Sequence, residues 1–222
     1  MDSPALTALT NITPLGIILT IAFCFAAYCI GSVSSAILVC RLAGLPDPRT
    51  AGSKNPGATN VLRIGGKKAA IATLAGDVLK GVIPVLIAMQ INPSAAFVGP
   101  VMVGVVLGHL YPLFFHFQGG KGVATAIGAL FAFSWPVGCM FLATWGVVAL
   151  LFRISSLAAL VAAFLVPFYT AWWVGVPFAI PVGIISAFLF SRHRSNIQRL
   201  WQKTEPKIGQ KHPPSKEDEQ ED

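Results

Sequence analysis

Apolar residues run along this chain in long blocks separated by short polar stretches, a rhythm that fits helices in lipid. Residues 14–40, 69–91, 95–117, 122–152 and 155–190 are almost free of charge. About 20 apolar residues in helical form cross the hydrocarbon core of a bilayer, so each block can span. The last two blocks exceed that length, and each carries a proline near its middle, in Ser134-Trp135-Pro136 and in Gly175-Val176-Pro177. Each therefore reads as two spans joined by a short turn. The pattern predicts an all-α, polytopic integral membrane protein with seven transmembrane helices.

The charges between the blocks orient it. Arg41, Arg49, Lys54, Arg63, Lys67 and Lys68 fill the first connection, Lys121 lies in the third, and Arg153 in the fifth. Arg192, Arg194, Arg199 and Lys203 follow the last block, while the second, fourth and sixth turns hold no Lys or Arg. Cations favour the cytoplasmic side, so the N-terminus is expected in the periplasm and the C-terminus in the cytoplasm. Only 11% of residues are charged, against about 25% in soluble domains, which excludes an ordinary soluble fold. The net charge of +7 sits beside helix ends, where orientation already demands it. A small part can grip anionic headgroups, and nucleic acid is not an expected partner.

The first apolar segment lacks a basic leader and an evident small-residue cleavage signal, so it reads as a retained helix. Cys24, Cys29, Cys40 and Cys139 lack the paired spacing of a metal site or disulfide framework and read as packing residues. Residues 1–202 are taken as one membrane-embedded domain. Residues 203–222 form a polar tail, expected to be disordered, cytoplasmic and dispensable for chemistry.

Three polar clusters fall on the side where the cations gather. The first runs from Gly52 through Ser53, Lys54, Asn55, Pro56, Gly57, Ala58 and Thr59 to Asn60, with Arg63 close behind. Glycine lets backbone N–H groups approach an anion, and Ser, Thr and Asn add donors. An ordinary basic loop has similar composition; the density of donors with so few acids favours a phosphate nest.

The second is Gln118-Gly119-Gly120-Lys121-Gly122, leading into a plausible helix start at Val123-Ala124-Thr125. Glycine-rich backbone at a helix N-terminus with a lysine suits an anion, although the Walker spacing is absent and a tight turn is the alternative. Upstream, His109 reads equally as a satisfied packing histidine.

The third runs from Arg192 to Leu200, where His193 and Asn196, three apart, share a helix face and offer neutral donors beside cations. Asp77 and Lys80 stand apart within the second span. An internal ion pair that fixes helix packing is the preferred reading, with a direct substrate role as the alternative.

Taken together, the three clusters resemble the acyl-phosphate-dependent glycerol-3-phosphate acyltransferases of bacteria, the PlsY type. The resemblance covers nearly the whole chain, from Gly31-Ser32 through Arg199-Leu200. Lys54 stands where a glycine is common in that family, and Gln118 replaces a lysine often found before Gly-Gly-Lys-Gly.

The resemblance implies a seven-helix fold in the bacterial inner membrane, with the site at the cytoplasmic surface. It implies transfer of an acyl group from acyl phosphate to the 1-hydroxyl of sn-glycerol 3-phosphate, giving lysophosphatidic acid and phosphate as the first acylation of phospholipid synthesis. Membrane lipid is then the surrounding partner, and a soluble acyl-phosphate-forming enzyme a candidate for docking.

Two phosphorylated substrates bring roughly four negative charges near pH 7. Lys121 and Arg63 are the first candidates to meet them, with Ser53 beside them in the catalytic set and Arg49 or Arg194 in support. Asn55, Gly57, Thr59, Asn60, Gly119, Gly120 and Gly122 would complete the phosphate pockets, while His193 and Asn196 position glycerol phosphate. No acid follows His193 or His109 at catalytic spacing, so the protein is short of a base, and the donor's own phosphate is expected to take the hydroxyl proton. The scattered acids predict no metal and no cofactor. The leading rival is a transporter of a phosphorylated anionic solute, although its sites would be expected near the midplane. A membrane phosphotransferase lacks its usual aspartate array.

Overall fold

The computed structural model describes residues 13–209, and among them every regular element is a helix. In chain order these are α1 (Pro14–Gly31), α2 (Ser35–Leu42), α3 (Ala58–Ile91), α4 (Ala95–Leu110), a single 3-10 turn (Leu113–Phe115), α5 (Val123–Phe133), α6 (Trp135–Phe152), α7 (Ser155–Trp173), α8 (Val176–Arg192) and α9 (Arg194–Trp201). The expected start of the chain before Thr13 and the tail beyond residue 209 lie outside the described residues.

Two breaks shape the end of the bundle that carries the polar clusters. The first apolar block is interrupted at Ser32-Val33-Ser34, where Ser32 turns its hydroxyl back to the Tyr28 carbonyl (2.8 Å) and Ser34 caps α2. In α3 the backbone leaves helical geometry at Gly66 (φ 74°, ψ −173°), which separates a short helix over 58–65 from the span over 67–91. A positive φ of that kind costs glycine little and other residues much. The two long C-terminal blocks divide where two spans each were expected. Prolines open the second member of each pair at the first helical positions, where a missing N–H costs nothing.

Lipid tails are as apolar as leucine, so helices in a membrane associate through close packing rather than through expulsion of water. The central helix is α4, whose Val98, Val101, Met102, Val105 and Leu110 are fully buried between α1, α3, α5 and α8. Small residues make the approach possible: a Cβ at Gly108 would collide with the Tyr28 carbonyl, and one at Gly128 with the Val78 carbonyl. Outward faces remain apolar, with Leu150 82% and Ile18 62% exposed, as lipid contact requires.

The helical membrane architecture stands as expected, and the span count takes a specific form. Pro14–Leu42, Ala58–Ile91, Ala95–Phe115, Trp135–Phe152 and Ser155–Trp173 are each long and apolar enough to cross, and Val176–Arg192 joined to Arg194–Trp201 through a 60° bend makes a sixth. The remaining expected span is Val123–Phe133, whose 11 residues reach only about 16 Å at 1.5 Å per residue, roughly half of the hydrocarbon core. At one end of the bundle the third connection is hydrogen-bonded to Arg192 and the fifth to Ile208, and the first shares a cavity lining with Arg192.

Candidate active site

The loop before α3 is organised around one side chain. Asn60, buried on the first turn of α3, accepts the Ser53 N–H at Oδ1 (2.7 Å) and donates from Nδ2 to the carbonyls of Pro48 (2.9 Å) and Ala51 (3.0 Å). These bonds draw residues 48–53 over the start of the helix. Asn60, expected to contact substrate, is instead committed to the loop backbone. Gly52 has φ +61°, and a Cβ there would collide with Asn60 Oδ1. Lys54 also adopts a left-handed conformation (φ 55°), the geometry that glycine takes most easily.

Ser53 and Thr59 are exposed, and Asn55 and Gly57 are half-buried beside them. Arg49 makes a two-pronged pair with Asp47, Nη2 to Oδ2 at 2.6 Å and Nε to Oδ1 at 3.0 Å. The Arg49 guanidinium holds the Asp47 carboxyl below its ordinary range.

The second loop is held by packing beneath it and by an arginine beside it. Gly120 N–H donates to the His109 carbonyl (3.2 Å). Arg192 donates from Nη2 to the Gly119 carbonyl (2.7 Å) and from Nε to the Gly120 carbonyl (3.2 Å), while its guanidinium carbon lies 5.4 Å from the centre of the Tyr111 ring. With both carbonyls drawn toward Arg192, the loop is pinned in one conformation ahead of α5. A Cβ at Gly119 would collide with the carbonyls of His109 and Leu110; one at Gly120 would collide with His109 Nε2 and lie 2.8 Å from the Pro56 carbonyl. Gly122 caps α5 at φ +84°. The second loop therefore rests on the first through Pro56.

The third segment supplies a histidine, an amide and an unexpected acid. His193 is buried at the bend between α8 and α9, with Nδ1 2.8 Å from the Leu189 carbonyl. A carbonyl only accepts, so Nδ1 carries the proton there. In the neutral ring Nε2 then offers a lone pair, which makes it an acceptor for a hydroxyl rather than the donor expected from sequence.

Asn196 donates from Nδ2 to Glu205 Oε1 (2.6 Å), Ser156 Oγ donates to the same oxygen (2.6 Å), and Arg199 Nε donates to Oε2 (2.6 Å). Burial works to raise the Glu205 pKa, but these three donors hold it below the ordinary range. Asn196 Oδ1 remains buried without a hydrogen-bond partner. Residues 203–222 were expected to form a disordered tail; in its described portion, Glu205 is half-buried and ties that segment to α7 and α9. Its three partners are distant in sequence or face, so periodicity gave no sign of it.

Lys121 joins these parts. Burial lowers its ammonium to about 8, with Arg199, Arg63 and Arg192 near enough to add to the effect and Glu205 opposing it. Of the predicted cations, Lys121 is half-buried, while Arg63 on the first turns of α3 and Arg194 at the start of α9 are both exposed. A cavity of about 280 Å³ lined by Arg49, Lys54, Pro56, Phe117, Gln118, Gly119 and Arg192 draws on all three sequence clusters, but Lys121, Arg63, Ser53, His193 and Asn196 are not among its lining residues. Sequence reasoning passed over Arg192 as an organiser, because its charge also satisfied the orientation rule. Among the described residues, no group of three His, Cys, Asp or Glu is placed to hold a metal.

A helical membrane protein whose polar connections converge into a cationic, glycine-lined pocket is a membrane enzyme or carrier for phosphorylated molecules. The glycerol-3-phosphate acyltransferase family model matches residues 21–203, and the chain belongs to that family. A glycerol-3-phosphate acyltransferase of Vibrio cholerae serotype O1 is 50% identical over 202 residues, covering 91% of this chain and 97% of the relative. One from Shigella flexneri is 54% identical over 182 residues, covering 82% and 88%. Two crystal structures of PlsY, an integral membrane glycerol 3-phosphate acyltransferase, share the fold. Its glycerol 3-phosphate form superposes with a TM-score of 0.81 at 36% identity, covering 86% of this chain and 96% of that one; a lysophosphatidic acid form gives 0.79 at 35%.

Proposed function

We propose that this acyltransferase takes its acyl group from acyl phosphate and delivers it to the 1-hydroxyl of sn-glycerol 3-phosphate at the cytoplasmic face of a bacterial inner membrane. The observation that carries the reading is a cavity lined by Arg49, Lys54 and Arg192 against the Gly119 loop that leads into Lys121, with the carboxylates nearby already engaged, Asp47 by Arg49 and Glu205 by three donors. That field suits two phosphates held side by side. The cations of the first, third and fifth connections favour the cytoplasmic orientation.

Acyl phosphate is a mixed anhydride and needs no covalent enzyme intermediate. The glycerol oxygen attacks the acyl carbon, the bond from that carbon to the phosphate oxygen breaks, and the hydroxyl proton leaves with inorganic phosphate. Holding the reactants at reacting distance can contribute about 7 to 11 kcal/mol, and fixed cations stabilise charge as it shifts. Arg63 and Lys121 face the phosphates; Ser53, Thr59 and the N–H groups of residues 119–122 complete the pockets. Neutral His193 accepts a hydrogen bond from glycerol phosphate through Nε2, and Asn196, oriented by Glu205, turns its unpartnered Oδ1 to the same molecule.

The test uses purified protein in lipid with glycerol 3-phosphate and one donor at a time: acyl phosphate, acyl-CoA or acyl carrier protein, each with chelator. Product from acyl phosphate alone is expected. Turnover from acyl-CoA but not from acyl phosphate refutes the donor.

A further inference from the structure

The mechanism leaves a buried pair of charged groups, Asp77 and Lys80, unused. Asp77 is the sole acidic residue between Asp47 and Glu205, and it lies 2% exposed inside the bundle. Its Oδ1 is 2.9 Å from Lys80 Nζ and 3.5 Å from His109 Nδ1. Lys80 also donates to the Val33 carbonyl (2.8 Å), in the break between α1 and α2. Ionisable groups at membrane depth are costly and mark function more often than packing.

A packing role accounts for Asp77 and Lys80 but not for the third member. His109 touches the phosphate loop twice: its carbonyl receives the Gly120 N–H, and its Nε2 edge occupies the space that a side chain at residue 120 would need. The imidazole is thus the floor under Gly120, one residue before Lys121. Asp77 Oδ1 lies 3.5 Å from the His109 Nδ1, an electrostatic contact longer than a hydrogen bond, and a carboxylate there favours the tautomer with its proton on that side.

We propose that Asp77 is a positioning residue for acyl transfer: it fixes the His109 ring, which sets the height and tilt of the Gly119–Gly122 loop and so aims Lys121 and the loop N–H groups at phosphate. The proposal rests on the reading of that loop as a phosphate site. Lys80 balances the carboxylate and fastens the assembly to the α1–α2 break.

The experiment separates positioning from packing. Asp77→Asn alone strands the Lys80 charge in the bundle, and a lower Tm is expected, because breaking a buried pair leaves an uncompensated ion. Asp77→Asn combined with Lys80→Met removes both charges and should return the Tm close to that of the wild type. The proposal expects the KM for at least one phosphorylated substrate to stay raised about tenfold or more in the double variant, with kcat changed far less. His109→Asn keeps a donor near the Nδ1 position but removes the edge under Gly120, and it should show the same split.

The dissociation constant for inorganic phosphate should weaken in parallel, a readout that does not depend on the acyl donor. Failure of the wild type to use acyl phosphate would sink the function proposed above without touching this measurement. Wild-type KM values and phosphate affinity in a stable double variant, or in His109→Asn, overturn the positioning role.

Discussion

Two glycine-containing turns face the same pocket and are held by different physics. The turn at 52–57 lies open to solvent and is gathered by Asn60, a single amide that makes three hydrogen bonds to its backbone. The turn at 118–122 has its two central glycines buried, with His109 beneath, Arg192 beside and Pro56 above. A loop tethered by one side chain can yield by degrees and recruit water. A loop packed against backbone on several sides has no room for even one methyl group. Similar composition thus conceals unequal tolerance, and the packed turn is the one that carries the central cation.

The sharpest way to break the comparison is at Lys121. Lys121→Ala removes the cation the packed loop presents and should lower kcat/KM about 100- to 1000-fold, the range for loss of one preorganised charge-stabilising donor, with little change in Tm. Steady-state kinetics beside a thermal melt check both. The same residue predicts a pH dependence. With its ammonium lowered to about 8, the cation is present below that pH and lost as pH rises through it. Activity should fall on the alkaline side near pH 8 in kcat/KM, which reports the free enzyme. Lys121→Arg keeps the charge and should move that limb to higher pH.

Gly120→Ala comes next. The added methyl meets His109 Nε2 and the Pro56 carbonyl, and overpacking of this kind costs about 1 to 3 kcal/mol. Activity should fall about tenfold to a hundredfold as the loop shifts to make room. The smallest effect belongs to the tethered turn. Asn60→Ala frees the Ser53 N–H and two carbonyls, at about 1 to 3 kcal/mol of stability if they stayed dry. Water reaches this turn, so the lower end of that range is expected, with KM raised severalfold. An Asn60→Ala variant more damaged than Gly120→Ala would reverse the order argued here.

Much of the architecture was legible because helix formation in lipid is a local requirement. With no water to satisfy backbone groups, a long apolar block folds as helix whatever its neighbours do. The divisions of the two long blocks near Pro136 and Pro177 follow from proline's missing donor. The break at Ser32–Ser34 was not read, since serines occur inside membrane helices without breaking them, and the short helix over 58–65 was read as part of the first connection. Lys121, Arg63 and the glycines stood out as candidates from charge and from the backbone geometry that anions need. Glu205 did not: a lone acid in a polar stretch looks solvated until Ser156, Asn196 and Arg199 are seen to converge on it.

By itself the sequence determined that this chain enters a membrane as helices, that its cations gather in alternate connections, and that glycine and lysine occur together where phosphate could rest. Those properties depend on composition over a few turns of chain. Only the tertiary structure decided that Asn60 gathers one loop while Arg192 and His109 hold the other, and that Asp77 reaches His109 across two helices. Such pairings depend on how closely packed helices bring distant residues into contact, from hydrogen bonds near about 3 Å to the 3.5 Å approach of Asp77 and His109, and no local periodicity records those distances.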